Sequence, residues 1–390
     1  MTINNNQNRP IYLDYHSTTP VDPRVAEKIL YQMTEVFGNA NSVDHQYGDE
    51  AEIAVTQAAS NVAELIGASP KQIIWTSGAT ESINLAIFGH IFRNSYSTLP
   101  RIAILPVEHL AVIDTCAALV KQKLAEIIWL QVDRKGRVNL EYLENVCAGG
   151  ISLLCVMAAN NEIGNIYPLE KIGKIAQKYQ IPFLCDASQA VGKIPINFAE
   201  WRISYLTISG HKLYASKGVG ALVVAKGYRL KPLIYGGGHQ KGMRSGTLNV
   251  PGIVGLGEAC RLRKLEMVED ERAIATKRDK MQELLMAAIP GLVVNGDTGS
   301  RLAGNLHISI PGIPNSAIIA RVRSRLAIST GAACSSGVEA PSHVLRALGL
   351  SREEMEGALR IGIGKFTTEE EIERAVEILS EVVFAIREIM

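Results

Sequence analysis

Between residues 70 and 225 the chain alternates short apolar runs with longer amphipathic stretches, and this alternation constrains its fold more than any other feature. The apolar runs are predicted to be strands at 72–75, 101–105, 127–132, 151–157, 182–186, 205–209 and 220–224. Helical patterns lie between several of them, at 81–92, 110–124, 140–147 and 169–179. Strands separated by helices predict a mostly parallel sheet with helices on both faces. The last two strands are too close for a crossover helix, so we expect one of them to run antiparallel.

A second region follows this predicted sheet. A long charged helical stretch at 253–288 leads into short strands at 292–295, 305–310 and 359–363, with helical patterns at 316–326, 343–348 and 369–389. A chain of 390 residues is too long for one compact core. We expect an α/β protein with a large domain over 16–262 and a smaller α+β domain formed by 1–15 and 263–390. The N-terminal forty residues carry few strand patterns and are expected to pack across both domains.

Composition and charge exclude several classes of protein. The net charge of +1 provides no basic surface, so nucleic acid is not expected as a direct partner. No apolar run approaches the roughly 18 residues of a membrane-spanning helix, and residues 1–10 lack the apolar segment of a secretory signal. The six cysteines form no CxxC pair and no zinc-ligand spacing, so we expect neither a disulfide framework nor a metal site. These features predict a soluble protein of the reducing cytoplasm.

A lysine and an aspartate follow two of the predicted strands. Asp186 closes the strand 182–186, and Lys212 comes soon after the strand 205–209. Ligands of parallel sheets bind at the carboxyl ends of the strands, so both side chains are expected at one site. The pair suits pyridoxal 5′-phosphate, because a lysine can hold its aldehyde while an aspartate keeps its pyridine nitrogen protonated. The simpler alternatives are a surface lysine and a structural carboxylate that pairs with a nearby helix start.

Polar residues at other strand ends could bind the rest of such a cofactor. Residues 73–81 pass from a strand into a helix, where free amides and the hydroxyls of Ser77 or Thr80 either bind one phosphate group or only cap the helix. Ser209 and His211 are further candidate donors to that phosphate.

Three more side chains complete the candidates. His109 could stack on an aromatic cofactor or carry a proton, or it could form only a local hydrogen bond at a helix start. Asn161 lies in a polar turn after the strand 151–157, where its amide could orient the phenolic oxygen of the cofactor. Arg360, in the smaller unit, could hold a substrate carboxylate with two hydrogen bonds.

Two loops stand out by composition. Residues 236–247 are rich in glycine and also carry Arg, Ser and Thr, which favours a loop that contacts phosphate or another subunit over a plain linker. Cys334, in a loop at about 330–341, has only Ala, Ser and Gly neighbours, so nothing nearby would bury its thiol. An exposed thiol on such an arm suits a nucleophile that accepts a group in one place and delivers it in another, and an incidental surface thiol is the alternative.

Together these motifs resemble those of the cysteine desulfurases of the NifS/IscS type, fold-type I pyridoxal-phosphate enzymes of the class V aminotransferase family. The resemblance runs from residue 11 to residue 371 and is most specific at 76–82, 160–164, 209–212 and 236–247. It implies a homodimer, a mostly parallel seven-stranded sheet flanked by helices in the large domain, and a catalytic cysteine loop in the small one.

The resemblance also implies a role for each candidate. Lys212 would carry the cofactor, Asp186 would pair with its ring nitrogen, and His109 would stack on the ring as an acid or base. Arg360 and Asn161 would bind the substrate, and Cys334 would take its sulfur. The implied cofactor-binding residues are Ala79, Thr80, His109, Asn161, Asp186, Gln189, Ser209, His211, Lys212 and, from the neighbouring subunit, Thr247.

The implied reaction converts L-cysteine to L-alanine. Lys212 would move the Cα proton, His109 would help to deprotonate the substrate thiol, and Cys334 would keep the sulfur as a persulfide. The acceptor would be an iron–sulfur scaffold or a tRNA-thiolation relay. The alternatives are a selenocysteine lyase, another lyase or an aminotransferase on the same scaffold, or a catalytically silent subunit that binds the cofactor.

Three positions depart from the pattern of this family. His16-Ser17 replaces a commoner small or polar pair, Gly362 stands at a frequent serine, and Lys365 replaces an arginine. We expect none of these departures to touch the proposed chemistry directly.

Overall fold

A computed structural model describes residues 9–331 and 342–390. The strands are β1 (Ile11–Tyr12), β2 (Ile73–Thr76), β3 (Arg101–Ile104), β4 (Glu126–Trp129), β5 (Leu153–Cys155), β6 (Phe183–Asp186), β7 (Tyr205–Ser209), β8 (Gly220–Val224), β9 (Val293–Val294), β10 (Asn305–Ser309), β11 (Leu326–Ala327) and β12 (Ala358–Gly362). The α-helices are α1 (Pro23–Thr34), α2 (Gln46–Ile66), α3 (Ala79–Arg93), α4 (Leu110–Lys121), α5 (Leu140–Ala148), α6 (Leu169–Lys178), α7 (Val250–Ala288), α8 (Asn315–Val322), α9 (His343–Ala347), α10 (Arg352–Glu356) and α11 (Glu369–Arg387).

Seven strands form the large sheet, in the order β2-β8-β7-β6-β5-β3-β4. Strands β4, β3, β5, β6 and β7 run parallel to one another, whereas β8 is antiparallel to both β7 and β2. The prediction of a mostly parallel seven-stranded sheet is therefore confirmed, and so is the expectation that one of the last two strands runs antiparallel. The direct link from β7 to β8 is too short for a helix, so the chain turns back beside itself.

Helices cover both faces of the large sheet because alternate strand residues point to opposite sides. In β3, Ile102 and Ile104 belong to a buried cluster with α3 and α4. Ala103 and the following Leu105 belong to another cluster, with residues of α2, α5, α6 and the first half of α7. A parallel sheet buried in this way exposes only its edges, so polar groups that reach a ligand must come from the strand ends.

A second core surrounds the smaller sheet, whose strands lie antiparallel in the order β12-β10-β9. Residues of α8, α11 and the second half of α7 pack into this cluster. Helix α7 joins the two cores, since Leu256 is buried in the first and Met281 in the second. The proposed domain boundary at 262 falls inside this continuous helix, and it stays a prediction.

The helix predicted at 316–326 is present, but its predicted end is wrong. Helix α8 ends at Val322, and Arg325 then donates its amide to the Val322 carbonyl at 2.7 Å. Leu326 pairs in parallel with Ile11, so the short strand β11 exists because the N-terminal segment supplies its partner. Helices α1 and α2 were also missed. Within the described ranges, no helix combines the length and the apolar character needed to cross a membrane.

Candidate active site

A cavity of about 530 Å³ opens at the carboxyl ends of the parallel strands. The predicted residues that line it are Ala79, Thr80, His109, Asn161, Asp186, Gln189, Ser209, His211, Lys212 and Arg360. Thr247 is exposed and is not among the lining residues of this subunit. Cys334 lies outside the described residues.

Lys212 lies in a short turn that follows β7. Its Nζ donates hydrogen bonds to the carbonyls of His16 at 2.7 Å and Ser17 at 2.6 Å. Burial, followed by the positive charges of Lys193 and Arg360, lowers the pKa of the Lys212 amine to about 7. A substantial fraction of this amine is therefore neutral at physiological pH, as a nucleophile or base must be.

Asp186 ends β6 with its carboxylate buried at the edge of the cavity. Its Oδ1 accepts hydrogen bonds from the Thr207 hydroxyl at 3.0 Å, the Ser188 amide at 3.0 Å and the Ser188 hydroxyl at 2.5 Å. Its Oδ2 makes no hydrogen bond to the residues that the structure describes. The three donors fix the carboxylate through Oδ1 and leave Oδ2 for a donor inside the cavity. A purely structural role would therefore explain Oδ1 but not Oδ2.

The N-terminus of α3 forms another part of the lining. Its N-cap, Gly78, has no side-chain cap, and the Ser77 amide is taken by the Glu81 carboxylate at 2.8 Å. The amides of Ala79 and Thr80 have no intrahelical acceptor at the start of a helix. Both residues line the cavity, so their amides and the Thr80 hydroxyl can donate to an anion there. This position favours an anion site over a helix cap alone.

The glycine-rich loop is fastened beside this helix start. Gln240 accepts the Trp75 amide at 2.6 Å and donates to the Trp75 carbonyl at 3.0 Å, so its side chain completes the hydrogen bonding of edge strand β2. Arg244 forms an ion pair with Glu81 at 2.8 Å. The loop thus supports the anion site indirectly, through the carboxylate that also holds the Ser77 amide.

His109 makes the local hydrogen bond that the sequence offered as one alternative, and it also lies at the cavity. It is the N-cap of α4, where its Nδ1 accepts the Ala111 amide at 3.1 Å, and its exposed ring lines the cavity. Because Nδ1 accepts a hydrogen bond, the proton of the neutral ring lies on Nε2. His211 also lines the cavity, and burial together with Lys212 and Lys217 lowers its pKa to about 4, so its ring is neutral.

Arg360 reaches the cavity from β12 of the smaller sheet. Its Nη2 pairs with Asp14 at 2.9 Å, and its Nη1 donates to the Asn161 carbonyl at 3.1 Å. A guanidinium has five N–H groups, so the two contacts orient it and leave further donors for an anion. Arg360 is the middle residue of β12.

One expectation about the departures from the family pattern was wrong. His16 and Ser17 line the cavity and hold Lys212 through their carbonyls, so this pair does touch the proposed site. The sequence contained no signal for this contact, because the segment follows β1, far from Lys212 along the chain. Ser329 and Gly331 were missed for the same reason.

Glu162 is a buried carboxyl beside the cavity, in the turn after β5. It accepts the Ser342 hydroxyl at 2.6 Å, and a side chain at Gly331 would begin 3.2 Å from the same Oε2. Burial raises the pKa of Glu162 to about 7. Glu162 thus lies near both Gly331, the last described residue before Cys334, and Ser342, the first described residue after it.

Comparison with known proteins identifies the family. The model of the class-V aminotransferases matches residues 11–375. The chain belongs to this family. A relative from Rickettsia typhi, named cysteine desulfurase IscS, is 44% identical over 382 residues, which cover 97% of this chain and 92% of the relative. A mitochondrial cysteine desulfurase of Arabidopsis thaliana is 41% identical and covers 97% of this chain and 84% of its own length.

Solved structures agree with these relatives. A NifS-like protein superposes with a TM-score of 0.88 at 34% identity, covering 96% of this chain and 99% of that one. SspA in complex with cysteine superposes with a TM-score of 0.79 at 30% identity, covering 92% and 99%. The prediction of a pyridoxal 5′-phosphate-dependent cysteine desulfurase is thereby confirmed, and the selenocysteine lyase and aminotransferase alternatives are not favoured.

Proposed function

We propose that the protein takes sulfur from L-cysteine onto Cys334 as a persulfide and leaves L-alanine. The observation that carries the proposal is the pairing of an amine with a lowered pKa, Lys212, with the half-satisfied carboxylate of Asp186 in one cavity. A relative whose structure is described as SspA in complex with cysteine supports the choice of substrate.

The residues of the cavity fit the cofactor at each of its polar groups. The amides of Ala79 and Thr80 would hold the phosphate, and Oδ2 of Asp186 would accept the N–H of the ring. Gln189 would donate to the phenolic oxygen. When bound, the cofactor supplies an electron sink for bonds broken at Cα of the substrate.

The chain itself would move the protons. Lys212 can accept and return the Cα proton at neutral pH because its pKa is lowered to about 7. Arg360 would hold the substrate carboxylate with the N–H groups that Asp14 and Asn161 do not occupy. His109 would favour ionisation of the substrate thiol by donating a hydrogen bond from Nε2 to its sulfur. The thiolate of Cys334 would then attack that sulfur, and the C–S bond electrons would return to the carbon skeleton that becomes alanine.

A homodimer is part of the proposal. Large apolar side chains are exposed along α1, the segment after it and α2, namely Leu30, Tyr31, Met33, Phe37, Val43, Tyr47 and Ile53. Such a concentration is typical of a protein interface. Because Thr247 is exposed and outside the cavity of its own subunit, we place it in the phosphate site of the neighbouring one.

Mixing two inactive variants tests this arrangement. Thr247→Asp would set a carboxylate against the phosphate in the active site of the other subunit. Lys212→Ala would instead disable the active site of the subunit that carries it. A mixed dimer then contains one site with both natural residues, so refolding the two variants together should restore activity. No restoration, in a sample that sedimentation shows to be dimeric, would place Thr247 in its own subunit.

Product analysis tests the activity. The cofactor-loaded protein is incubated with L-cysteine, alanine is quantified, and the peptide that contains Cys334 is weighed by mass spectrometry. We expect alanine and one added sulfur on Cys334, with the persulfide lost in Cys334→Ala. Keto acid without persulfide would show an aminotransferase, and no product would support a silent subunit. We propose a cytoplasmic location and an iron–sulfur scaffold or a tRNA-thiolation relay as acceptor, to be tested by transfer of labelled sulfur.

A further inference from the structure

His16 connects two residues of the proposed cofactor site. Its ring is buried, with Nδ1 at 3.2 Å from Oε1 of Gln189. Its backbone carbonyl accepts hydrogen bonds from Nε2 of Gln189 at 2.8 Å and from Nζ of Lys212 at 2.7 Å. His16 thus contacts both the Lys212 amine and the Gln189 amide, the two groups that we propose to bind the cofactor.

The neighbours of Gln189 determine which way its amide points. Lys193 can only donate, and its Nζ lies 2.9 Å from Oε1, so the oxygen faces Lys193. The carbonyl of His16 can only accept, so the nitrogen faces that carbonyl. Nδ1 of His16 must therefore carry a proton and donate it to Oε1. Nε2 of Gln189 carries two hydrogens. One is donated to the His16 carbonyl, and the other remains available to the cavity that Gln189 lines.

The charge around His16 keeps its ring neutral. Burial is the main cause and the cations Lys193 and Arg360 add to it, holding the pKa of this imidazole well below its usual range. A neutral ring with its proton on Nδ1 is the form that the contact with Gln189 requires.

We propose that His16 is a positioning residue, which fixes the Gln189 amide as a donor toward the cofactor and holds the amine of Lys212 through its carbonyl. This inference rests on the proposed function, since it requires the cofactor in this cavity. It gives a role to a residue that the sequence analysis considered remote from the chemistry.

Gly362 lies directly against the backbone of Tyr15 and His16. A Cβ atom at position 362 would lie 2.8 Å from the Tyr15 amide nitrogen, 2.9 Å from that of His16 and 3.1 Å from Cδ2 of its ring. The first two atoms are backbone atoms, so any side chain at position 362 would push the segment 15–16 away. Gly362 therefore allows the backbone that carries His16 to pack closely against β12.

Spectrophotometric pH titration of the cofactor-loaded protein tests the proposal. A donor to the phenolic oxygen favours its ionised form, so losing that donor should raise the titration midpoint of the cofactor band. We expect a rise of about 0.5–1 pH unit in Gln189→Ala and a smaller rise in His16→Ala, because alanine keeps the backbone carbonyl that holds Nε2 of Gln189. The double variant should show no rise beyond that of Gln189→Ala. His16→Asn, which can keep a donor near Nδ1, should stay within about 0.2 unit of the natural protein.

An unchanged midpoint in His16→Ala, or a double variant in which the two shifts add, would overturn the proposal. If His16→Ala does not hold the cofactor, Gly362→Ala provides the test, because it keeps the ring but displaces it. A rise in its midpoint supports the proposal and an unchanged midpoint contradicts it. Failure of the natural protein to develop a cofactor band would instead refute the proposed function, so the two failures are distinguishable.

Discussion

The two sides of the cavity are built in different ways. One side, the sheet wall, consists of residues at the carboxyl ends of the large sheet, such as Asp186 and Lys212. The other side, the N-terminal wall, consists of segment 14–17 with Ser329, Gly331 and Arg360. Each functional group of the sheet wall follows its own strand, whereas those of the N-terminal wall come from distant parts of the chain. The sheet wall provides reactive groups, and the N-terminal wall holds and orients them.

Removing the amine of the sheet wall should have the largest effect. Lys212→Ala leaves no group to hold the cofactor or move the Cα proton, so alanine production should fall by about 10³-fold or more. The matched control is Lys226→Ala, an exposed lysine after β8 and outside the cavity, which should keep full activity. Substantial turnover in Lys212→Ala would show that the sheet wall is not the reactive one.

Glu162, the buried carboxyl beside the cavity, should make stability depend on pH. Its pKa is raised to about 7, so between about pH 4.5 and 7 the folded state binds more protons than the unfolded state, and stability falls as pH rises. Glu162→Gln keeps an acceptor for Ser342 but cannot titrate, and it should remove roughly 3 kcal/mol of this pH dependence. Denaturant unfolding at several pH values measures it. The exposed Glu353→Gln is the control, and equal pH slopes in both variants would contradict the assignment.

Arg360 of the N-terminal wall should govern substrate affinity. Arg360→Lys keeps the charge but loses the paired N–H donors, so KM for L-cysteine should rise about 10-fold with a smaller change in kcat. Asp14→Asn is the comparison variant, because it leaves the guanidinium in place and keeps an acceptor for it. A larger rise in KM for Asp14→Asn than for Arg360→Lys would show that the ion pair, not the free donors, matters most.

The hydroxyl of Thr80 should have the smallest effect. Thr80→Val removes one donor to the phosphate but leaves the backbone amides of α3, so cofactor affinity should fall only about 5-fold, or about 1 kcal/mol. Equilibrium titration of the apoprotein with the cofactor gives the affinity. Thr276→Val, on the exposed side of α7, should bind the cofactor as tightly as the natural protein. An unchanged affinity in Thr80→Val would assign the phosphate to amides alone.

The same division explains what the sequence could predict. The alternation of apolar runs predicted the large sheet, and the motifs at its strand ends predicted the residues that line the sheet wall, because both depend on local order along the chain. His16 and Ser17 could not be found this way. Their positions depend on Gly362 and on the pairing of β1 with β11, which are contacts between distant segments.

The missed elements have a similar cause. The helix predicted at 316–326 extended too far, into β11, because an apolar residue such as Leu326 suits a helix or a strand equally well. Only its pairing with Ile11 makes it a strand. Helix α2 is rich in small residues, and its buried Ala58 and Val62 pack in the same core as the first half of α7. Small residues give a weak amphipathic pattern, although they allow close helix contacts.

The most direct test of the account is to identify the lysine that holds the cofactor. The loaded protein is reduced with borohydride, which makes the attachment permanent, and its peptides are analysed by mass spectrometry. We predict that the cofactor remains on the peptide with Lys212, because this amine combines a pKa of about 7 with a place in the same cavity as Asp186. Attachment to Lys193 or Lys217, with Lys212 unmodified, would contradict it.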